Sequence, residues 1–224
     1  MKRFVLPLMA ATICGLNSSA QTVSGQVGNH NYVDLGLPSG TKWATCNIGG
    51  SKPTDDGDYF AWAETEPKKN YTWYTYKWCK GTKASKTKYI TMGFNTEVDH
   101  KLTLDETDDA ATANWGKEWR TPTVKETDEL LQGCNWTWDA DYKGSGLSGR
   151  IGTSKTNGNV IFIPASGYRD STDAIGVSDI GCYWSSSLDE DDTNAAHYLD
   201  FNIDDIDWFS SNRSTGRSVR AVVK

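Results

Sequence analysis

Histidine and methionine are scarce, with three of each among 224 residues, beside six prolines and five cysteines. Three imidazoles leave little for a histidine-rich metal centre or for general-base chemistry. The cysteines beyond residue 20 lie 33, 55 and 48 residues apart, without the close C-x-x-C pairs of a structural zinc site. No apolar run approaches the ~20 residues of a membrane-spanning helix. Cations are in deficit, 23 Lys and Arg against 29 Asp and Glu, so the net charge is −6 and a phosphate backbone is repelled. Nucleic acid is therefore not expected as a partner. Composition also excludes collagen, coiled coil and wholesale disorder. What the chain has instead is 21 Gly, 10 Trp and 10 Tyr, the makeup of one turn-rich domain with large rings in it.

Residues 1–20 stand apart. Lys2 and Arg3 precede the apolar run Phe4 to Ala11, and the small residues Ser18-Ser19-Ala20 follow. This is the pattern of a secretory signal peptide, so export is expected. Cys14 lacks a large apolar residue three positions before it and a small one immediately before it, and lipidation is not expected. Without residues 1–20 the net charge becomes −8. Four cysteines remain, Cys46, Cys79, Cys134 and Cys182. An even number in an oxidising compartment implies disulfides, and three pairings are open.

Residues 21–30 are polar, glycine-containing and aperiodic, and read as a short tether to a domain over 31–224. Tyr32 to Leu37 and Thr41 to Ile48, parted by Pro38-Ser39-Gly40, read as a strand hairpin. Residues 64–107 form a long excursion with possible strands at 71–78 and 88–92, and such excursions are usually functional. Its lysines, Lys77, Lys80, Lys83, Lys86 and Lys88, read as a solvated face.

Two helices are expected. Asp108 to Trp115 starts with acids and stops at Gly116. The other has Thr123 as N-cap, Glu126 as capping-box partner and Gly133 as stop, with Val124, Thr127, Leu130 and Leu131 on one face. Strand patterns follow at 135–138, 159–164, 183–187, 196–203 and 219–223, which makes the layout α+β.

Several blocks in order resemble one family, the Fibrobacter succinogenes major paralogous domain of exported Bacteroidetes proteins. They include Tyr32 to Leu37, Lys42 to Asn47, Gly57 to Trp62, Asn114-Trp115-Gly116, Trp119 to Thr123, Cys134 to Trp138, Ile163 to Arg169, Tyr183 to Ser187 and Ser218-Val219-Arg220. The resemblance covers nearly all of 31–224. It implies a C-type lectin-like fold with two helices, short antiparallel strands and long loops, related to that of formylglycine-generating enzymes. Members often carry a Cys where this chain has Ile90, which leaves Cys79 without its usual neighbour. The resemblance then favours a Cys46–Cys134 disulfide, while Cys79 with Cys182 has no motif support.

Chemistry is poorly represented. The enzymes sharing the fold use a copper-holding cysteine pair late in the chain, and only Cys182 lies there. His197 alternates with Leu199 and Phe201 as a sheet-face histidine does, and no motif joins nucleophile, base and oxyanion donors. Carboxylate pairs brought together across loops are invisible in sequence. The tract Asp189 to Asp192 and the later Asp200, Asn202, Asp204, Asp205 and Asp207 have calcium's ligand types. However, an EF-hand register started at Asp200 puts Asp205 at the glycine position and Ser211 at the glutamate, and the lectin sugar tripeptides are missing. No metal or cofactor is assigned, calcium being the one cation whose ligand types are present.

Rings are the remaining clue, since Trp and Tyr anchor sugars and protein partners. Trp43, Trp62, Trp119 and Trp184 sit among apolar neighbours and read as core. Trp73, Tyr74, Tyr76 and Trp78 in the excursion, and Trp208 among acids, are the candidate ligand-binding residues. The expected function is a non-catalytic binding or adhesion module, in the periplasm, at the cell surface or outside the cell, taking a glycan or a surface protein through its loop face. The alternative is a structural component of the cell surface, and an enzyme stands third.

Overall fold

Short strands and frequent turns follow from the glycine content. In the computed structural model, which describes residues 19–92 and 97–224, they form four small antiparallel sheets and two helices. The leader expected over 1–20 lies outside the described residues except for Ser19 and Ala20. The arrangement is α+β, and no helix among the described residues is long and apolar enough to cross a membrane.

The first sheet has the order β1 (Gly25–Val27), β2 (His30–Val33), β3 (Lys42–Ala44) and β12 (Val222–Val223). The expected hairpin is present in shortened form, with Tyr32 opposite Ala44 and Val33 opposite Trp43. Residues 21–30 are not a tether. Thr22 N–H donates to Val160 O at 2.8 Å, and Phe162 N–H donates to Gln21 Oε1 at 2.8 Å. The chain then turns at Gly28, whose φ of +59° suits glycine in a two-residue hairpin turn. A polar segment without periodicity is ordered here because an open sheet edge takes up its backbone groups. His30 stacks on Trp115 at 3.8 Å and locks the hairpin to the first helix.

Helix α1 (Ala110–Trp115) is capped by the Asp109 side chain, which accepts from Ala111 N–H and Thr112 N–H, and it stops at Gly116 with φ +96°. Helix α2 (Val124–Gly133) has the full capping box between Thr123 and Glu126. The Glu126 carboxylate also pairs with Arg120 and accepts the Thr41 hydroxyl at 3.0 Å, joining α2 to the strand below. Burial disfavours its charge, but Arg120, Thr123 N–H and Thr41 outweigh that and hold its pKa at about 2. A carboxyl depressed on folding stabilises above its unfolded pKa, and that stability is lost as pH falls towards the folded value. Glu126→Gln therefore costs about 2 kcal/mol at pH 7, allowing for screening at the 34% exposed Arg120. In urea titrations the difference from the parent shrinks between about pH 5 and pH 2.

Beyond α2 come β4 (Cys134–Asp139), β5 (Gly149–Ser154) and β6 (Val160–Pro164) in one sheet. A two-stranded ribbon follows, β7 (Tyr168–Asp170) with β8 (Asp173–Ile175). The last sheet is β9 (Gly181–Leu188), β10 (Ala195–Phe201) and β11 (Ile206–Asn212), with β10 central. The main cores lie around Trp62, Trp119 and Trp184, and around Trp43, Leu130, Ile161 and Phe201.

A further expectation fails. Residues 71–78 and 88–92 form no strands, their one bridge being Tyr71 to Ser171, because their rings spend their polar groups on nearby backbone. Tyr76 donates to Trp62 O at 2.8 Å and Trp78 Nε1 to Ala63 O at 2.7 Å. The four described cysteines are free in this structure, Cys46 and Cys134 included. Cys46 faces Gly50 O at 3.4 Å, whereas Cys134 is packed in the second core where burial raises its pKa to about 11.

Candidate ligand cleft

The sequence candidates separate into packing rings and exposed ones. Tyr76 is 2% exposed and is not available to a ligand. Trp73 meets it edge-on at 5.4 Å, and half-buried Trp78 lies under the ammonium groups of Lys77 and Lys88 at 4.5 and 4.9 Å. Lys88 in turn bridges Asp105 and Asp108, each at 2.5 Å, so part of the lysine cluster is structural rather than solvated. Tyr74 is 83% exposed, apart from the packed rings, and Trp208 on β11 is 39% exposed, edge-on to His197 at 5.0 Å. Among its described residues the excursion leaves Tyr74 as the one fully exposed ring of the four candidates.

The acidic tracts build turns. Asp189 Oδ1 accepts from Asp191 and Asp192 N–H, and Asn202 Oδ1 accepts from Asp204 and Asp205 N–H. Among the described residues no group of three or more His, Cys, Asp or Glu side chains is placed to hold a metal ion.

A different place gathers the chemistry. At one end of the β4–β5 sheet an open cleft of about 510 Å³ is bounded by three segments remote in sequence. Strand β4 and the loop after it supply Trp138 and Ser148, the turn before β9 supplies Asp179 and Ile180, and the β10–β11 turn supplies Asn202, Ile203 and Asp204. Strand alternation puts Trp136 and Trp138 on the same face of β4. Trp136 closes over Gly152, where any Cβ would meet the ring at 2.7 Å, and Trp138 lies two pairs further along, opposite Arg150.

Arg150 sets the cleft's shape. It is 7% exposed, and its guanidinium donates to Asn202 O at 3.0 Å, Ile203 O at 3.2 Å and Asp205 O at 3.1 Å. Burial lowers its pKa and the Asp205 and Asp204 carboxylates oppose that, so it stays a cation. The opposite wall is pinned by Ser148, whose hydroxyl donates to Ser178 O, and by Ser178 N–H on Ala165 O at 2.7 Å. Ser178 itself has φ +71°, a left-handed conformation that a non-glycine residue adopts only when its surroundings impose it.

The cleft therefore presents one half-buried indole, two isoleucines, two carboxylates and an amide on a pinned frame. Among the described residues its charged lining groups are acids, Arg150 being turned inward onto the carbonyls. That set can stack an apolar ring face and accept hydrogen bonds from hydroxyl or amide groups. It lacks a base paired with a nucleophile. Trp138 was legible as a strand residue in the Cys134 to Trp138 block, and its i, i+2 spacing from Trp136 is the signal that the contact role carries. The partner walls have no sequence signal, since Asp179 and Ile180 come from the turn before β9 and Asn202 to Asp204 from the β10–β11 turn, all more than 40 residues from Trp138. Comparison with family models, curated proteins and solved structures returns no match.

Proposed function

We propose that the chain is an exported, non-catalytic binding module with a C-type lectin-like fold of the paralogous-domain kind, and that it recognises a glycan through the Trp138 cleft. The observation that carries this is the pairing, in one open cleft, of an indole and isoleucines with carboxylate and amide acceptors. A sugar ring offers an apolar C–H face and a rim of hydroxyl donors, which is the complement of that lining. The strand-rich α+β architecture with turns gathered at one end supports the fold assignment.

The test is titration of residues 21–224 with soluble neutral oligosaccharides, followed by intrinsic tryptophan fluorescence in calcium and in EDTA. Binding is expected with at least one oligosaccharide, equal in both buffers, and Trp138→Ala weakens it by about tenfold or more. Absence of any saturable shift, or affinity unchanged in Trp138→Ala, overturns the reading. One observation favours assembly at the cell surface as a second reading. The outer edge of β11 has no strand partner among the described residues and carries exposed Trp208 and Phe209.

A further inference from the structure

A small internal cavity of about 10 Å³ shares no lining residue with the Trp138 cleft. It lies where β3, α2, β6, β9 and β10 meet, and every residue that lines it is buried. That volume admits one water-sized guest and excludes a sugar or a polyatomic oxyanion. We infer that the cavity is a halide site, which takes one chloride ion between the indole N–H of Trp43 and the guanidinium of Arg220. The site stands or falls independently of the glycan reading.

Two unpaired donors point to a guest. Trp43 is 2% exposed and Arg220 1%, and both line the cavity. Trp43 Nε1 and Arg220 Nη2 have no hydrogen-bond partner among the described residues. Strand pairing sets the two side chains on one face, because Trp43 stands opposite Val222 and Arg220 lies two residues before Val222 in extended chain. The rest of the guanidinium is engaged, Nε donating to Asn47 Oδ1 at 2.8 Å and Nη1 to Ala44 O at 3.1 Å. The hydroxyls on the cavity are engaged as donors too, Thr127 to Thr123 O at 3.2 Å and Tyr183 to Pro164 O at 2.6 Å. Buried donors are nearly always paired, so two on one cavity call for a guest that accepts from both.

Charge decides what that guest is. Four arginines are buried, and three of them have an acid within electrostatic reach: Asp205 for Arg150, Asp99 for Arg213 and Asp200 for Arg217. Arg220 has none. Burial lowers its pKa, and the groups opposing that are Tyr183 and Cys46. Neither is an anion at neutral pH, since burial pushes Tyr183 up to about 12 and raises the Cys46 thiol. An arginine keeps its proton all the same, so a full positive charge sits in the core beside neutral acceptors only. Water would meet the two donors and leave that charge unanswered, whereas a monatomic anion does both. Ile163 and Leu199 complete the wall, and apolar carbon suits chloride or bromide better than the strongly hydrated fluoride.

Linkage supplies the test, since a ligand held by the folded chain alone raises the folding equilibrium constant by up to about tenfold for each tenfold rise in its concentration. Urea unfolding is compared in sodium chloride and in sodium gluconate, whose anion is too large for the cavity, at equal ionic strength so that screening is fixed. The parent is expected to have a folding constant about tenfold higher in chloride, and Trp43→Phe, which keeps a ring and loses the N–H, to lose most of that difference. Crystals grown in bromide are expected to show an anomalous peak in contact with Trp43 Nε1 and Arg220 Nη2. A folding constant no higher in chloride overturns the inference, as does a chloride gain that Trp43→Phe keeps in full. Electron density at that point without a bromide signal also overturns it and assigns the guest as water. The salt comparison and the diffraction both use the parent chain, so they decide the matter even where Trp43→Phe does not fold.

Discussion

Arg150→Met is expected to lower unfolding stability by about 3 kcal/mol and to abolish oligosaccharide binding at the Trp138 cleft. Methionine replaces the aliphatic stem but leaves the carbonyls of Asn202, Ile203 and Asp205 without the guanidinium they now share. Hydrogen bonds from a cation contribute more than neutral ones, roughly 1.5–3 kcal/mol each, but losses within one network do not add, and the guanidinium's own desolvation is relieved when it is removed. The binding loss has a separate cause. Those three carbonyls belong to the turn that carries Asn202, Ile203 and Asp204 into the cleft, so a freed turn takes away one wall. Arg150→Lys keeps the charge but reaches fewer of the carbonyls from one nitrogen, and falls between parent and methionine in both measurements. Urea unfolding gives the first quantity and fluorescence titration the second. A methionine variant that matches the parent in stability would show that the carbonyls are equally well served without Arg150, and the account of the cleft's frame fails.

The parts of this structure that sequence displays are those in which cause and effect lie within a few residues. Thr123 and Glu126 form their capping box because both halves sit in one helical turn, and Gly116 ends α1 where the chain needs positive φ. The core tryptophans are equally legible, since Trp43, Trp62, Trp119 and Trp184 have apolar neighbours and all four are buried. Sequence fails where a distant segment decides. Nothing in Gln21 to His30 indicates that β6 has an open edge to receive it. Nothing in Tyr76 indicates burial, because its surroundings include Arg213, more than a hundred residues later. The cleft is the extreme case. Trp138, Asp179 and Asp204 come from three turns or strand ends, and only the register of β4 against β5 and the reach of Arg150 bring them to one opening.

Arg213→Met tests how the long excursion is held. Arg213 is fully buried, donates to Tyr89 O and Lys88 O at 2.8 Å each, and lies over the rings of Tyr76 and Trp62 at 5.4 and 5.9 Å. Its own backbone accepts Trp62 N–H at 2.9 Å, so one residue near the end of the chain ties together both ends of the segment from 62 to 89. Methionine removes the two hydrogen bonds and the cation–ring attraction while keeping most of the volume, at an expected cost of about 3 kcal/mol. The distribution of that loss is the sharper test. Amide hydrogen exchange is expected to rise over residues 71–92, whose backbone has few ladder partners of its own, while α2 and the β4–β6 sheet keep their protection up to the variant's global stability. Acceleration spread evenly over the chain would instead mean that the excursion and the sheets unfold as one unit, with Arg213 acting as ordinary core rather than as the clasp of the segment.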